Sequence, residues 1–224
     1  MSYIINRYTC RLNQLNKTIG HLIGKGYLPI IGKGNENTTD RHRNYTEMEH
    51  VIKSHPNNMF ALKLSSLGID IDCKTAMVWS RNLMKTIKHN NSIVTIDAEF
   101  DYQHYKIVNM TDRLVYEYNN DVPVIYKTYQ MYRKDSLNVL MSDIIKCNKT
   151  NIPFSGKLVR GAYWNTEKNN GHLFIKKEDT DESYNQAILN INKFEFNKHP
   201  NIVLATHNEK SIYIARLLNK DLFE

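Results

Sequence analysis

The 224-residue chain has little of what usually gives a function away. It carries three cysteines, Cys10, Cys73 and Cys147, at spacings that fit neither a metal site nor a redox pair. Reduced thiols in a reducing compartment are therefore expected, and no metal. No apolar run approaches the ~20 residues that cross a bilayer. No Gly-x-Gly-x-x-Gly turn follows any predicted strand, so the dinucleotide fingerprint of doubly wound sheets is missing. Repeats, low-complexity tracts and an internal domain boundary are missing too, and one domain over 1–224 is expected. Acidic residues do not occur before Glu36, whereas Arg7, Arg11, Lys17, Lys25 and Lys33 precede it. An organelle transit peptide has that charge pattern. But Ile5, Tyr8, Leu12, Leu15, Ile19 and Leu22 recur at spacings of three and four, which predicts a docked structural helix.

What is present is basic and moderately apolar. Thirty Lys and Arg against 23 Asp and Glu leave a formal charge of +7. A nucleic-acid binder gathers such charge in a patch or couples it to a recognition motif. Here the lysines are scattered and read as solvated helix faces, so no nucleic-acid partner is expected. At 41% hydrophobic residues the chain can bury a real core.

Apolar segments alternate in type along the chain. Strands are predicted at about 27–31, 59–65, 92–97, 123–129, 157–162 and 201–206. Helices fall between them. One runs from an Asp40 cap to about Ser54 with Tyr45, Met48 and Ile52 inward, another from an Asp72 cap to about His89 with Trp79, Leu83 and Ile87 inward. A third spans about Tyr102 to Tyr118. Asp135 opens the next, with Leu137, Leu140, Met141 and Ile144 on one face. A polar loop from Asn165 to about Thr180 precedes a helix burying Tyr184, Ala187, Ile188, Ile191 and Phe194. A last helix runs from Glu209 to about Asn219. Strand–helix alternation implies a parallel sheet with helical crossovers. Lys63, Asp97, Gln130, Arg160 and His207 stand at strand carboxyl ends, where α/β barrels assemble their sites. The expected fold is an α/β, (β/α)8-type barrel with about six βα units and an extra N-terminal helix. A full barrel takes ~250 residues.

The stretch Lys157-Leu158-Val159-Arg160-Gly161-Ala162-Tyr163-Trp164 concentrates the chemistry. Two cations flank a buried strand core, and Gly161-Ala162 lets the backbone approach something flat or bulky. Such an arrangement suits an anionic or electron-accepting cofactor. The plain alternative is an ordinary strand with snorkelling ends.

Five segments in order resemble the proline dehydrogenases, flavin-dependent βα-barrel enzymes. They are Leu62-Lys63-Leu64 with Leu67-Gly68, Ile96-Asp97-Ala98-Glu99, Thr128-Tyr129-Gln130-Met131-Tyr132 with Lys134-Asp135, Lys157 to Tyr163 with Glu167, and Ala205-Thr206-His207-Asn208. The resemblance implies oxidation of L-proline to Δ1-pyrroline-5-carboxylate, with hydride passing to FAD and a quinone reoxidising the flavin. It implies that Lys63 faces the substrate carboxylate and that Asp97 is the strand-end acid, with Ala98 beside the flavin. Gln130 would bond the flavin's pyrimidine edge, and Lys157 would sit near its reactive nitrogen. Arg160, Gly161 and Ala162 would line the cofactor, and Thr206 and His207 would hold its tail. The order Lys157, Arg160 is that of animal-type members; bacterial members generally have the two cations exchanged. A mitochondrial location follows for a eukaryotic member, a cytoplasmic one otherwise. On the residues alone, Asp97 also reads as a helix N-cap and Lys63 as a snorkelling lysine.

The family grips the substrate carboxylate with a paired arginine on its last barrel helix. No Arg-Arg pair occurs among these 224 residues. The resemblance thus implies a chain lacking the last two strands and the arginine helix, completed by a complementary fragment or left as a truncated product. A non-catalytic barrel remnant that binds a partner is the alternative, and a basic nucleic-acid module a further one.

Overall fold

Six parallel strands form one sheet whose spatial order is the chain order. They are β1 (Ile30–Gly32), β2 (Met59–Leu62), β3 (Ile93–Ile96), β4 (Ile125–Gln130), β5 (Ser155–Val159) and β6 (Asn201–Ala205). The computed structural model describes residues 10–33 and 40–218. Ile5 and Tyr8 of the predicted stripe lie outside them. The rest of the stripe forms α1 (Leu15–Gly24), which buries Ile19 and Leu22. Leu12 is exposed instead, because it belongs to a 3-10 turn (Leu12–Gln14) whose tighter winding carries it off the buried face.

The crossovers are α2 (Arg41–Ser54), α3 (Cys73–His89), α4 (Asp101–Tyr118), α5 (Ser136–Lys149), the short α6 (Trp164–Glu167) with α7 (Lys177–Lys193), and α8 (Glu209–Leu218) follows β6. Two of the predicted caps form. Asp40 accepts from the Arg43 amide at 3.0 Å, and Asp72 accepts from the amides of Lys74 and Thr75. Asp135 precedes α5 but caps nothing; its carboxylate turns to Arg133 Nε at 3.2 Å.

Alternation along the strands sorts side chains between two faces. One face packs on the helices. Phe60, Leu62, Val94, Ile96 and Ile125 join residues of α2, α3 and α4 in one apolar cluster. Tyr129, Leu158 and Ile202 join α5, α7 and α8 in a second. Trp79, half-buried, stacks on Tyr45 at 5.3 Å. The other face carries Ala61, Thr95, Thr128, Lys157 and Val203. The result is a six-stranded arc of a (β/α)8-type barrel. Among the described residues no helix is long and apolar enough to cross a membrane.

Strand boundaries differ most from expectation in three segments, each for a local reason. The segment 27–31 yields a strand only from Ile30. Gly26, at φ +78, and Tyr27 close α1 by hydrogen bonds to Ile23 and Leu22, which uses the first residues as a helix exit. At 59–65 the strand stops at Leu62 and the chain winds into a 3-10 turn (Ser65–Leu67) ended by Gly68 at φ +78. At 157–162 the strand runs instead from Ser155 to Val159, because Gly161 has φ +133 and leaves the pleat. The predicted loop 165–180 also contains α6 and a 3-10 turn (Lys168–Asn170), and α7 begins within it.

Candidate active site

Strand register decides which side chains share a level. Thr128 lies opposite Lys157, and Lys157 opposite Val203. Leu62, Ile96 and Lys127 are aligned one level below, and the Asp97 amide continues the ladder by bonding Leu62 O at 2.9 Å. One step on, Lys63, Asp97, Thr128 and Lys157 stand in a single row at the carboxyl ends of four strands. Gln130 lies two residues further along the same face, opposite Val159.

This row floors a cleft of about 670 Å³, within the usual size of small-molecule sites. Every residue singled out from the sequence lines it: Lys63, Asp97 and Ala98 on one side, Gln130 and Lys157 in the middle, Arg160, Gly161, Ala162, Thr206 and His207 on the other. Thr128, Tyr163, Lys177 and Asn208 line it too and were not anticipated. Thr128 had a signal, since it stands two residues before Gln130 on the same strand face. Lys177 had none, because it sits in a stretch that reads as loop.

Asp97 is no helix cap. Phe100 occupies that position for α4, and the carboxylate takes the Lys157 amine at 2.7 Å. Thr95 Oγ1 donates to the same oxygen at 3.4 Å. Both members of the pair are partly shielded, with side-chain exposures of 15% for Lys157 and 20% for Asp97. That shielding makes the interaction stronger than a surface ion pair. Gln130 is buried, and its amide donates to the backbone oxygen of Glu99 at 3.2 Å. The neighbouring Thr128 hydroxyl is buried without a hydrogen-bond partner among the described residues.

Arg160 is committed to protein. Its Nε donates to Asp181 at 2.6 Å, one Nη to Ser211 Oγ at 2.9 Å and the other to Thr206 Oγ1, while the guanidinium lies 4.3 Å above the Tyr184 ring. It ties β5, α7, the end of β6 and α8 together. Thr206 Oγ1 also accepts the Asn208 amide at 3.1 Å. His207 stands exposed at the lip. Gly161 is required where it is: a Cβ there would clash with the Tyr132 ring, and φ +133 disfavours any other residue. Tyr132 in turn donates to Glu167 at 3.0 Å, and Glu167 accepts the Asp101 amide at 2.6 Å. Burial, with Glu167 alongside, pushes the Tyr132 phenol well above its ordinary value. Glu167 thus braces the wall from behind.

Comparison with known proteins bears on the family and the fold. The family model for proline dehydrogenase matches residues 15–222. "Proline dehydrogenase 1, mitochondrial" of Dictyostelium discoideum is 33% identical over 139 residues, covering 57% of this chain and 24% of that protein. "Carbapenem antibiotics biosynthesis protein CarD" of Pectobacterium carotovorum is 32% identical over 211 residues, 82% of this chain and 54% of that one. Proline utilization A (PutA) of Bdellovibrio bacteriovorus superposes with a TM-score of 0.78 over 93% of this chain and 26% of its own, at 15% identity, a likeness of fold. The chain spans from about a quarter to about half the length of these relatives.

Proposed function

The chain belongs to the proline dehydrogenase family, and on that premise we propose that it carries the FAD-dependent oxidation of L-proline to Δ1-pyrroline-5-carboxylate. The observation that carries the proposal is the row Lys63, Asp97, Lys157 at the strand ends, with acid and amine 2.7 Å apart in one cleft.

The residues fit a flavin. A buried amide, Gln130, suits a ring edge that both donates and accepts. The orphaned Thr128 hydroxyl beside it is the kind of polar atom a bound group satisfies. Gly161-Ala162 presents backbone with little side chain in the way. When bound, FAD supplies the two-electron oxidant.

The protein's part is placement and charge. Lys63 takes the proline carboxylate, and Ala98 leaves room beside the ring. Lys157, held by Asp97, keeps a cation where electron density accumulates. Gln130 orients the ring edge, Arg160 holds the Thr206 turn, and Thr206 and His207 face the cofactor's tail. Lys63 alone offers the carboxylate one point charge. We assign the other half of that grip to an arginine-bearing segment outside these six units, on a complementary fragment or a longer chain, because forked guanidinium contacts hold a carboxylate in a defined pose. A quinone is the proposed electron acceptor. Relatives in Dictyostelium, Schizosaccharomyces pombe and Arabidopsis thaliana carry "mitochondrial" in their names, and a mitochondrial place is proposed for this chain if its source is eukaryotic.

The test is anaerobic bleaching of the flavin spectrum by L-proline, with and without the arginine-bearing segment, followed by reoxidation with a short-chain quinone. Bleaching that is slow in the isolated chain and fast after complementation supports the proposal. Absence of bound flavin in both forms would favour a barrel remnant that binds a partner.

A further inference from the structure

Glu99 is a buried carboxylate that the proposed reaction leaves unused. It is 3% exposed, and burial pushes its carboxyl above the ordinary range, against the hydrogen bonds from Ser65 and the charge of Lys63. A buried carboxyl is costly unless its partners are well placed, and these are. One oxygen accepts the Ser65 backbone amide at 3.0 Å and the other accepts the Ser65 hydroxyl.

Ser65 opens the 3-10 turn that follows Lys63, and Leu64 before it has no side-chain oxygen to cap that turn. Glu99 caps it from the segment that follows β3, 34 residues away. The Lys63 carbonyl is bound into the same turn by the Ser66 amide at 3.2 Å and Ser66 Oγ at 2.6 Å. Asn44 Nδ2 donates to Ser66 O at 3.1 Å. The backbone of Glu99 meanwhile accepts the Gln130 amide. One residue therefore clamps the turn carrying the lysine and touches the Gln130 amide.

We propose that Glu99 is a positioning residue for Lys63: its carboxylate fixes the turn that aims the lysine into the cleft. The inference rests on the reading of the cleft as a proline site, with Lys63 as its carboxylate partner.

The experiment compares Glu99→Ala, Glu99→Gln and Ser65→Ala with wild type in the complemented enzyme. It reads the half-saturating proline concentration and limiting rate of anaerobic flavin reduction, flavin content, and thermal midpoint. A flavin-independent readout is the rate of Lys63 acetylation by acetic anhydride, measured by peptide mass against Lys53 as internal reference. Glu99→Ala should raise the half-saturating concentration about tenfold, the worth of one charged hydrogen bond. Limiting rate and flavin content should stay within about twofold, and Lys63 acetylation should quicken. Glu99→Gln keeps one acceptor and should fall between, and Ser65→Ala should shift the same readings by roughly threefold. Unchanged half-saturation and acetylation overturn the proposal. So does a common loss of flavin, rate and stability with Lys63 acetylation unchanged, which marks a general core role. If Glu99→Ala does not fold, Ser65→Ala decides by the same readings. If wild type is not bleached by proline, the proline reading fails, and acetylation alone decides the positioning role, faster for it and unchanged against it.

Discussion

Lys157 and Asp97 meet at 2.7 Å although their strands never touch. β4 runs between β3 and β5, and the two side chains reach each other over Thr128. Pairing across an intervening strand is open only to residues on the same face and at the same level. The bond is therefore a direct reading of register, and it fixes where the cation stands.

Lys157→Ala should slow flavin reduction more than it weakens proline binding. The amine lies by the ring in the proposed arrangement, and removing one donor to developing charge costs on the order of 10²-fold in rate. Anaerobic stopped-flow reduction across a proline series separates the two. Equal losses in rate and affinity would place Lys157 in substrate binding instead.

Gln130→Ala should cut flavin affinity by roughly 1–3 kcal/mol, the cost of unpairing a buried polar group. Flavin content after gel filtration is the measurement. Full flavin retention would reduce Gln130 to a brace for the Glu99 carbonyl.

Gly161→Ala should destabilise the fold. A non-glycine residue at φ +133 carries about 1–3 kcal/mol of backbone strain, and the added carbon must displace the buried Tyr132 ring. The midpoint of urea unfolding should fall clearly. An unchanged midpoint would mean that the turn relaxes at no cost.

Acid should erase the contribution of Asp101. The hydrogen bond from Arg133, at 2.5 Å, holds this carboxyl below its ordinary range against a desolvation cost. A depressed folded value gives stability that is complete above the unfolded value of ~3.9 and is lost as pH falls through the lower folded value. Wild type should therefore exceed Asp101→Asn in stability at pH 6, and the gap should close below about pH 4. Denaturant titrations at a series of pH values measure it. A gap that persists unchanged in acid would show that Asp101 acts by shape rather than charge.

The site was legible wherever local order carried it. An apolar run that ends in a polar residue marks both a strand and its carboxyl end, and Lys63, Asp97 and Gln130 were found that way. Contacts that close over long sequence distances left no such mark. Arg160 spends its guanidinium on Asp181, Thr206 and Ser211, which lie 21, 46 and 51 residues away. Glu99 was visible as part of a motif, but nothing nearby in sequence pointed to Ser65. The start of β4 was obscured by Asn119. This buried side chain accepts the amides of Val124 and Ile125, 2.9 and 2.8 Å away, in place of ladder bonds just after Pro123. Strand boundaries shifted where a helix exit or a left-handed glycine overrode the apolar pattern.

Because spatial order equals chain order, each strand leaving a ribosome finds its partner already made. The first apolar cluster uses residues up to Ile125 and can close around Phe60 and Val94 before the second, which starts at Tyr129, exists. Asp97 emerges 60 residues ahead of Lys157. At ~5–20 residues per second of synthesis it waits about 3–12 s for its partner. Once Ile125 has emerged, the nascent chain has a core and still no cleft, so its apolar surface is covered before it can hold a ligand.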